Sequence, residues 1–136
     1  MLLVDTNVLV DVLQNDPQWA DWSVAQLRAQ SRLHPLAINP IIYAELSLAF
    51  SKAEDLDDAL TALGARLLEV PRAALFLAGK AFVRYRRQGG LKQNVLADFF
   101  IGAHAAVLGC PLLTRDTKRY STYFPTVQLI APRSPG

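Results

Sequence analysis

Cysteine is almost absent: Cys110 is the only one in 136 residues. A lone thiol closes no internal bridge, which excludes a disulfide framework and fits a reducing cytoplasm. Histidine is nearly as scarce, with only His34 and His104, and the Cys/His ligand spacing of a zinc site is missing. No stretch approaches the roughly 20 consecutive apolar residues of a membrane span. Ser47, Ser121 and Ser134 lack a Ser/His/Asp arrangement, and Cys110 has no local base, so a serine or cysteine hydrolase is not supported. Repeats, low-complexity tracts and linkers are missing too, and residues 1–136 are expected to form a single domain. The opening MLLVDTNVLVDVL is apolar but carries acids at 5 and 11 and no basic leader. It is expected to be a strand running into a helix, not a signal peptide.

Apolar residues are plentiful at 51%, enough to bury a core without covalent staples. Turn and cap residues divide the chain into alternating elements. LLVD at 2–5 reads as a strand and 7–14 as a helix. Asp16-Pro17 opens a second helix to about Ser31 by the cap-plus-proline signature. Leu36–Ile38 is a strand, and Asn39-Pro40 repeats the signature ahead of a helix reaching about Ser51. Further helices span 53–63, Pro71 to Gln88 and 95–108, ending near Gly64, Gly89-Gly90 and Gly109. RLLEV at 66–70, PLLT and VQLIA read as strands, with TKRYSTYF a short helix or turn between the last two. This alternation predicts an α/β sandwich, a mostly parallel sheet flanked by helices. Sites in such sheets gather outside the carboxyl ends of the strands.

Four carboxylates sit where charge is costly. Asp5 is the only charged residue in 1–10, Glu45 the only one in 39–50 and Asp98 the only one in 93–108. Glu45 lies four residues after Ile41 and three before Leu48, which predicts a shared helix face. Asp116 follows PLLT among Arg115, Lys118 and Arg119. Taken singly, Asp5 has a helix cap to make, Asp98 a helix dipole to satisfy and Asp116 a surface ion pair. Taken together, isolated acids on apolar elements point to a shared cation. Oxygen-only ligands suit Mg²⁺ or Mn²⁺, and such a cluster serves phosphodiester hydrolysis by activating water. Thr114 and Asn7 supply neutral oxygens nearby, and Thr114 shares a strand face with Asp116.

Net charge is +2, yet setting those four acids aside leaves 14 basic residues against 8 acidic ones. Arg84, Arg86, Arg87 and Lys92 form one basic group, and Arg115, Lys118 and Arg119 another. A basic surround for an acidic pocket fits a polyanionic substrate.

At these residues the chain resembles a known family. LLVDTNVLVDVL at 2–13, YAEL at 43–46, LADFFIGAHAAVLGCPLLTRD at 96–116 and the tail TKRYSTYFPTVQLIAP look like PIN-domain ribonucleases, specifically VapC-type toxins of toxin–antitoxin pairs. The likeness spans nearly the whole chain, with the motifs in order. It implies a PIN-like three-layer α/β sandwich and a Mg²⁺-dependent endoribonuclease, Mn²⁺ being a substitute, restrained by a cognate VapB-type antitoxin and commonly a homodimer. It also implies that Asp5, Glu45, Asp98 and Asp116 are the catalytic metal-site acids, with Thr114 and Asn7 in support. Asn94 occupies a position compatible with a further acid, which bears on a second metal.

Other residues have lesser roles. His104 faces another side of its helix from Asp98 and is expected to be packed or hydrogen-bonded. Trp19, Trp22, Leu46 and Phe50 suit either core packing or an apolar groove for an antitoxin helix. Arg84, Arg86, Arg87 and Arg115 are candidate RNA contacts, with Tyr85 available to stack. Two other functions compete: a PIN-fold module that binds RNA or protein without cutting, and a Mg²⁺-binding receiver-like signalling domain. The receiver needs a phospho-accepting Asp on a middle strand and a late lysine, and RLLEV offers Glu69 instead.

Overall fold

The computed structural model of the chain describes residues 1–92 and 95–133. Asn94 and Ser134 lie outside them. The elements alternate as β1 (Leu2–Val4), α1 (Thr6–Leu13), α2 (Ala20–Ser31), β2 (Leu36–Ile38), α3 (Pro40–Leu46), α4 (Ala53–Leu63) and β3 (Arg66–Leu67), followed by α5 (Arg72–Arg87), α6 (Leu96–Leu108), β4 (Leu112–Leu113), α7 (Lys118–Tyr123) and β5 (Leu129–Ile130). A 3₁₀ turn at Ser47–Ala49 extends α3.

Every ladder is parallel, in the order β3-β2-β1-β4-β5. β1, β2 and β4 are buried along their lengths, as strands covered on both faces must be, whereas the edge strands β3 and β5 are more exposed. Strand order runs outward from β1 to β3, then returns across β1 to β4 and β5. Right-handed crossovers therefore put the outgoing and returning helices on opposite faces of the sheet. α1 packs on α2 and α3, and α6 on α5 and α7, while α3 also meets α6. The reversal between β1 and β4 is the topological switch point, where such sheets form a crevice.

Local chemistry accounts for the boundaries. Asn39 caps α3, its side chain accepting from the Ile42 amide at 2.9 Å, with Pro40 in the first turn. Gly64 and Gly109 end α4 and α6 at positive φ, 71° and 65°. Two expectations are adjusted. Asp16 does cap, accepting from the Gln18 and Trp19 amides, but 17–19 form a turn and α2 starts only at Ala20. The strand expected over 66–70 pairs only at Arg66–Leu67, because the Leu68 amide makes its last bond to the Ile38 carbonyl before the chain leaves the edge.

Candidate active site

Asp5 follows β1 directly, and its amide extends the ladder to the Leu113 carbonyl at 2.9 Å. Thr114 follows β4 in the same way, bonded to the Ile130 carbonyl at 3.0 Å. Adjacent parallel strands thus set these two side chains next to each other at the switch point. Thr114 Oγ1 donates to Asp5 Oδ2 at 2.8 Å, Tyr120 Oη donates to the same oxygen at 2.9 Å, and the Thr6 amide donates to Oδ1 at 2.7 Å. Thr114 Oγ1 also accepts from the Asp116 amide at 3.1 Å and from Asn7 Nδ2 at 3.3 Å. One buried hydroxyl therefore ties together three of the residues singled out from sequence. Asn7 completes the link by accepting the Arg115 amide at 3.2 Å.

The other acids arrive from separate helices. Glu45, half-buried on α3, accepts from Thr6 Oγ1 at 2.6 Å. Its predicted face is shifted: Ile42 and Leu46 are the buried pair, and Leu48 is 90% exposed because the 3₁₀ turn rotates it outward. Asp98 stands in the first turn of α6 and accepts from Arg119 Nη1 at 2.6 Å. Asp116 lies in the exposed loop after β4. Together with Thr6, Asn7 and Arg115, the four acids line one cleft of about 290 Å³.

Electrostatics in this cleft are unfavourable without a cation. Burial pushes the Asp5 carboxyl up to about 6, and nearby Asp98 adds to the rise while Thr114, Tyr120 and Thr6 oppose it. Asp98 is also raised, chiefly by burial and further by Asp116, against the counter-effect of Arg119. Tyr120 is held well above its ordinary value by burial and the surrounding carboxylates, so it stays a hydrogen-bond donor. Among the described residues, no three Asp, Glu, His or Cys side chains converge as a ready-made metal cage. Instead Glu45 turns to Thr6, Asp98 to Arg119 and Asp5 to its hydroxyl donors. The donor set itself fits a hard divalent cation, being oxygen-only, mutually repelling and open on one side.

The remaining candidates lie elsewhere. Arg115 reaches the cleft wall, but its guanidinium makes a two-pronged ion pair with Asp11 at 2.6 and 2.9 Å and stacks over Trp19. Arg84, Arg86 and Arg87 occupy the last turn of α5; Arg84 stands over the Tyr123 ring, and Arg86 over Phe82. His104 is fully buried, its Nδ1 3.1 Å from Asn39 Nδ2, which agrees with a packed, hydrogen-bonded histidine. Leu46 belongs to the core, whereas Trp19, Trp22 and Phe50 are half-buried, the two tryptophans edge to face. Cys110 is half-buried and burial raises its thiol, which disfavours the thiolate.

Sequence reasoning missed Tyr120, Thr6 and Asp11. Asp11 showed the same anomaly as Glu45, an acid inside an apolar helix, and that signal marks it now as the buried partner of Arg115 and Ser23.

A parallel α/β sandwich with carboxylates from four segments gathered at its switch point defines an acidic-cleft α/β domain. The model of the PIN domain matches residues 2–125, and the chain belongs to the PIN domain family. No curated protein matches the sequence. Among solved structures, the chain is similar to VapBC2 from Rickettsia felis bound to a promoter DNA fragment, at 21% identity and a TM-score of 0.72, covering 96% of this chain and 97% of that one. DNA-bound VapBC from Salmonella typhimurium follows at 18% identity and a TM-score of 0.70, with 96% of each chain covered. A toxin–antitoxin complex from Klebsiella pneumoniae is 26% identical, with a TM-score of 0.62 over 93% of this chain and 95% of that one.

Proposed function

We propose that the chain is the toxin endoribonuclease of a type II toxin–antitoxin pair, hydrolysing RNA phosphodiester bonds in the cytoplasm with a divalent cation, Mg²⁺ or Mn²⁺. The observation that carries this reading is the single cleft lined by Asp5, Glu45, Asp98 and Asp116. Likeness in fold to VapBC complexes supports a cognate VapB-type antitoxin as partner, and the family resemblance implies a homodimer.

Asp5, Asp98, Asp116 and Glu45 are the residues that would hold the cation. When bound, it supplies a lowered pKa for water and stabilises charge on the phosphate oxygens. The chain's own contribution is positioning. Thr114 and Tyr120 fix Asp5 Oδ2, and the Thr6 amide fixes Oδ1, so this carboxylate has one orientation. Thr6 Oγ1 aims Glu45 into the same cleft. Arg119 neutralises Asp98 before substrate arrives and brings a guanidinium to the edge where a phosphate would lie.

The test is cleavage of single-stranded and structured RNAs with Mg²⁺, Mn²⁺ or EDTA, wild type beside Asp98→Ala. Metal-dependent cutting that disappears in the variant is expected; equal cutting by a folded variant rejects the assignment. One observation favours a non-cleaving PIN module instead, namely that Asp98 is already occupied by Arg119. RNA binding without cutting by the metal-loaded wild type would select that reading.

A further inference from the structure

Behind the acidic cleft stands a cluster of side chains that cleavage itself does not use. Asp11 lies within α1 and is only 2% exposed, yet its carboxylate meets three donors. Arg115 reaches it with Nε at 2.6 Å and Nη2 at 2.9 Å, and Ser23 Oγ on α2 donates at 2.8 Å. The guanidinium carbon of Arg115 stands over the Trp19 ring, 5.1 Å from its centre. Held at one edge by Asp11 and set against Trp19, this arginine is a brace rather than an arm free to meet a phosphate.

Asn7 and Asp11 are four residues apart on α1 and share one of its faces. Asn7 Oδ1 accepts the Arg115 amide at 3.2 Å while Asp11 takes the side chain, so one helix grips this residue at both backbone and tip. The next residue is Asp116. Its amide donates to Thr114 Oγ1 at 3.1 Å, but its carboxylate is exposed and makes no ion pair among the described residues. Asp98 across the cleft repels it when no cation is bound. At its other end α1 supplies the Thr6 amide that holds Asp5 at 2.7 Å. A single short helix is therefore fastened both to the first acid of the cleft and to the segment that carries the last.

We propose that Asp11 and Arg115 are positioning residues of the metal site: their ion pair, anchored on α1, fixes where Asp116 presents its carboxylate. The inference rests on the cation-dependent reading of the cleft and deepens it. A buried ion pair contributes little more to stability than an apolar pair of similar size. What this one adds is direction, because two parallel bonds to a planar guanidinium leave the loop one arrangement.

The test is Mn²⁺ affinity of the folded, full-length protein by calorimetric titration, with RNA cleavage by wild type run alongside. Asp11→Asn/Arg115→Met removes both charges together, so no unpaired charge is buried, Ser23 keeps an acceptor and net charge is unchanged. This double variant is expected to bind Mn²⁺ about ten- to hundredfold more weakly, the usual effect of losing a partner that orients a ligand. Arg115→Lys keeps the charge without the two-pronged bond and is expected to fall between the double variant and wild type. Asp116→Asn is itself expected to weaken binding, and in that background the double substitution is expected to add nothing. Melting curves establish which variants are folded, and Arg115→Lys alone carries the comparison if the double variant is not. A lower melting temperature with Mn²⁺ affinity unchanged would make the pair a structural support only, and overturns the proposal. Tighter Mn²⁺ binding, or a loss of equal size without Asp116, overturns it as well. In each of these cases metal-dependent cleavage by wild type keeps the ribonuclease reading intact. Wild type that binds no Mn²⁺ removes both.

Discussion

Arg119 Nη1 stands 2.6 Å from Asp98 Oδ2, so the carboxylate that opens α6 is neutralised by the helix that follows the last acid of the cleft. Both side chains are partly exposed, at 20% and 29%, so the pair is worth little to stability. Its weight falls on occupancy of the cleft. A cation that takes Asp98 must displace the guanidinium. Arg119→Gln is therefore expected to tighten Mn²⁺ binding by about three- to tenfold in calorimetric titration, the size of a partly solvated charge-assisted bond. Equal affinity in the two proteins would show that Asp98 is not where the ion goes.

Asp5 gives the protein a pH-dependent weakness in the absence of metal. Its folded-state value of about 6 lies above the ordinary 3.8. Between those limits the native state holds a proton that the unfolded chain has released, so stability falls as pH rises through this window. The full burden, on the order of 3 kcal/mol, is present above about pH 6. In EDTA at pH 7.5, Asp5→Asn is expected to melt above wild type by several degrees, with the gap closing towards pH 4, and to be inactive. A variant that melts lower at both pH values would mean that the Thr114 and Tyr120 bonds outweigh the burial of the charge.

Gly102 on α6 governs how closely α7 approaches. A Cβ there would fall 2.4 Å from Phe124 and 3.0 Å from Tyr120. Gly102→Ala is expected to cost about 1–3 kcal/mol through overpacking, and to reduce cleavage because Tyr120 is the donor that steadies Asp5. Denaturant titration measures the first effect and a cleavage rate the second. Loss of stability with an unchanged rate would separate Tyr120 from the site.

Asn39 joins two elements through one side chain: its carbonyl oxygen caps α3 and its amide meets His104. Burial lowers the His104 pKa, so stability declines as pH falls below the ordinary 6.5. Asn39→Ala is expected to lose about 2 kcal/mol, the cap and the buried bond together, and Asn39→Asp, which keeps the cap but buries a carboxylate, at least as much. Chemical denaturation at pH 7.5 checks both values, and a neutral alanine variant would remove the link.

Much of this molecule was legible before folding. Asn39-Pro40, Gly64 and Gly109 mark helix ends by backbone chemistry that acts locally, and the structure places the ends there. Asp5, Glu45 and Asp98 were visible because each interrupts an apolar run, a contrast that needs no partner to be noticed, whereas Asp116, set among basic residues, shows no such contrast. What the sequence withheld are contacts between distant segments. Tyr120 in KRYSTY is unremarkable until β1 and α7 bring it to Asp5, 115 positions away. Arg115 looked free for a phosphate until Asp11, 104 positions earlier, took both arms of its guanidinium. RLLEV has the composition of a longer strand, but at a sheet edge the ladder lasts only while one neighbour runs alongside it.

The wide separation of Asp5 from Thr114 and Tyr120 has a further consequence for a protein read as a toxin. On the ribosome β1 emerges first, yet its neighbour β4 and the hydroxyls that orient Asp5 come more than a hundred residues later. A nascent chain therefore carries the first acid of its cleft without the groups that aim it. On the function proposed above, cleavage becomes possible only once synthesis is nearly finished.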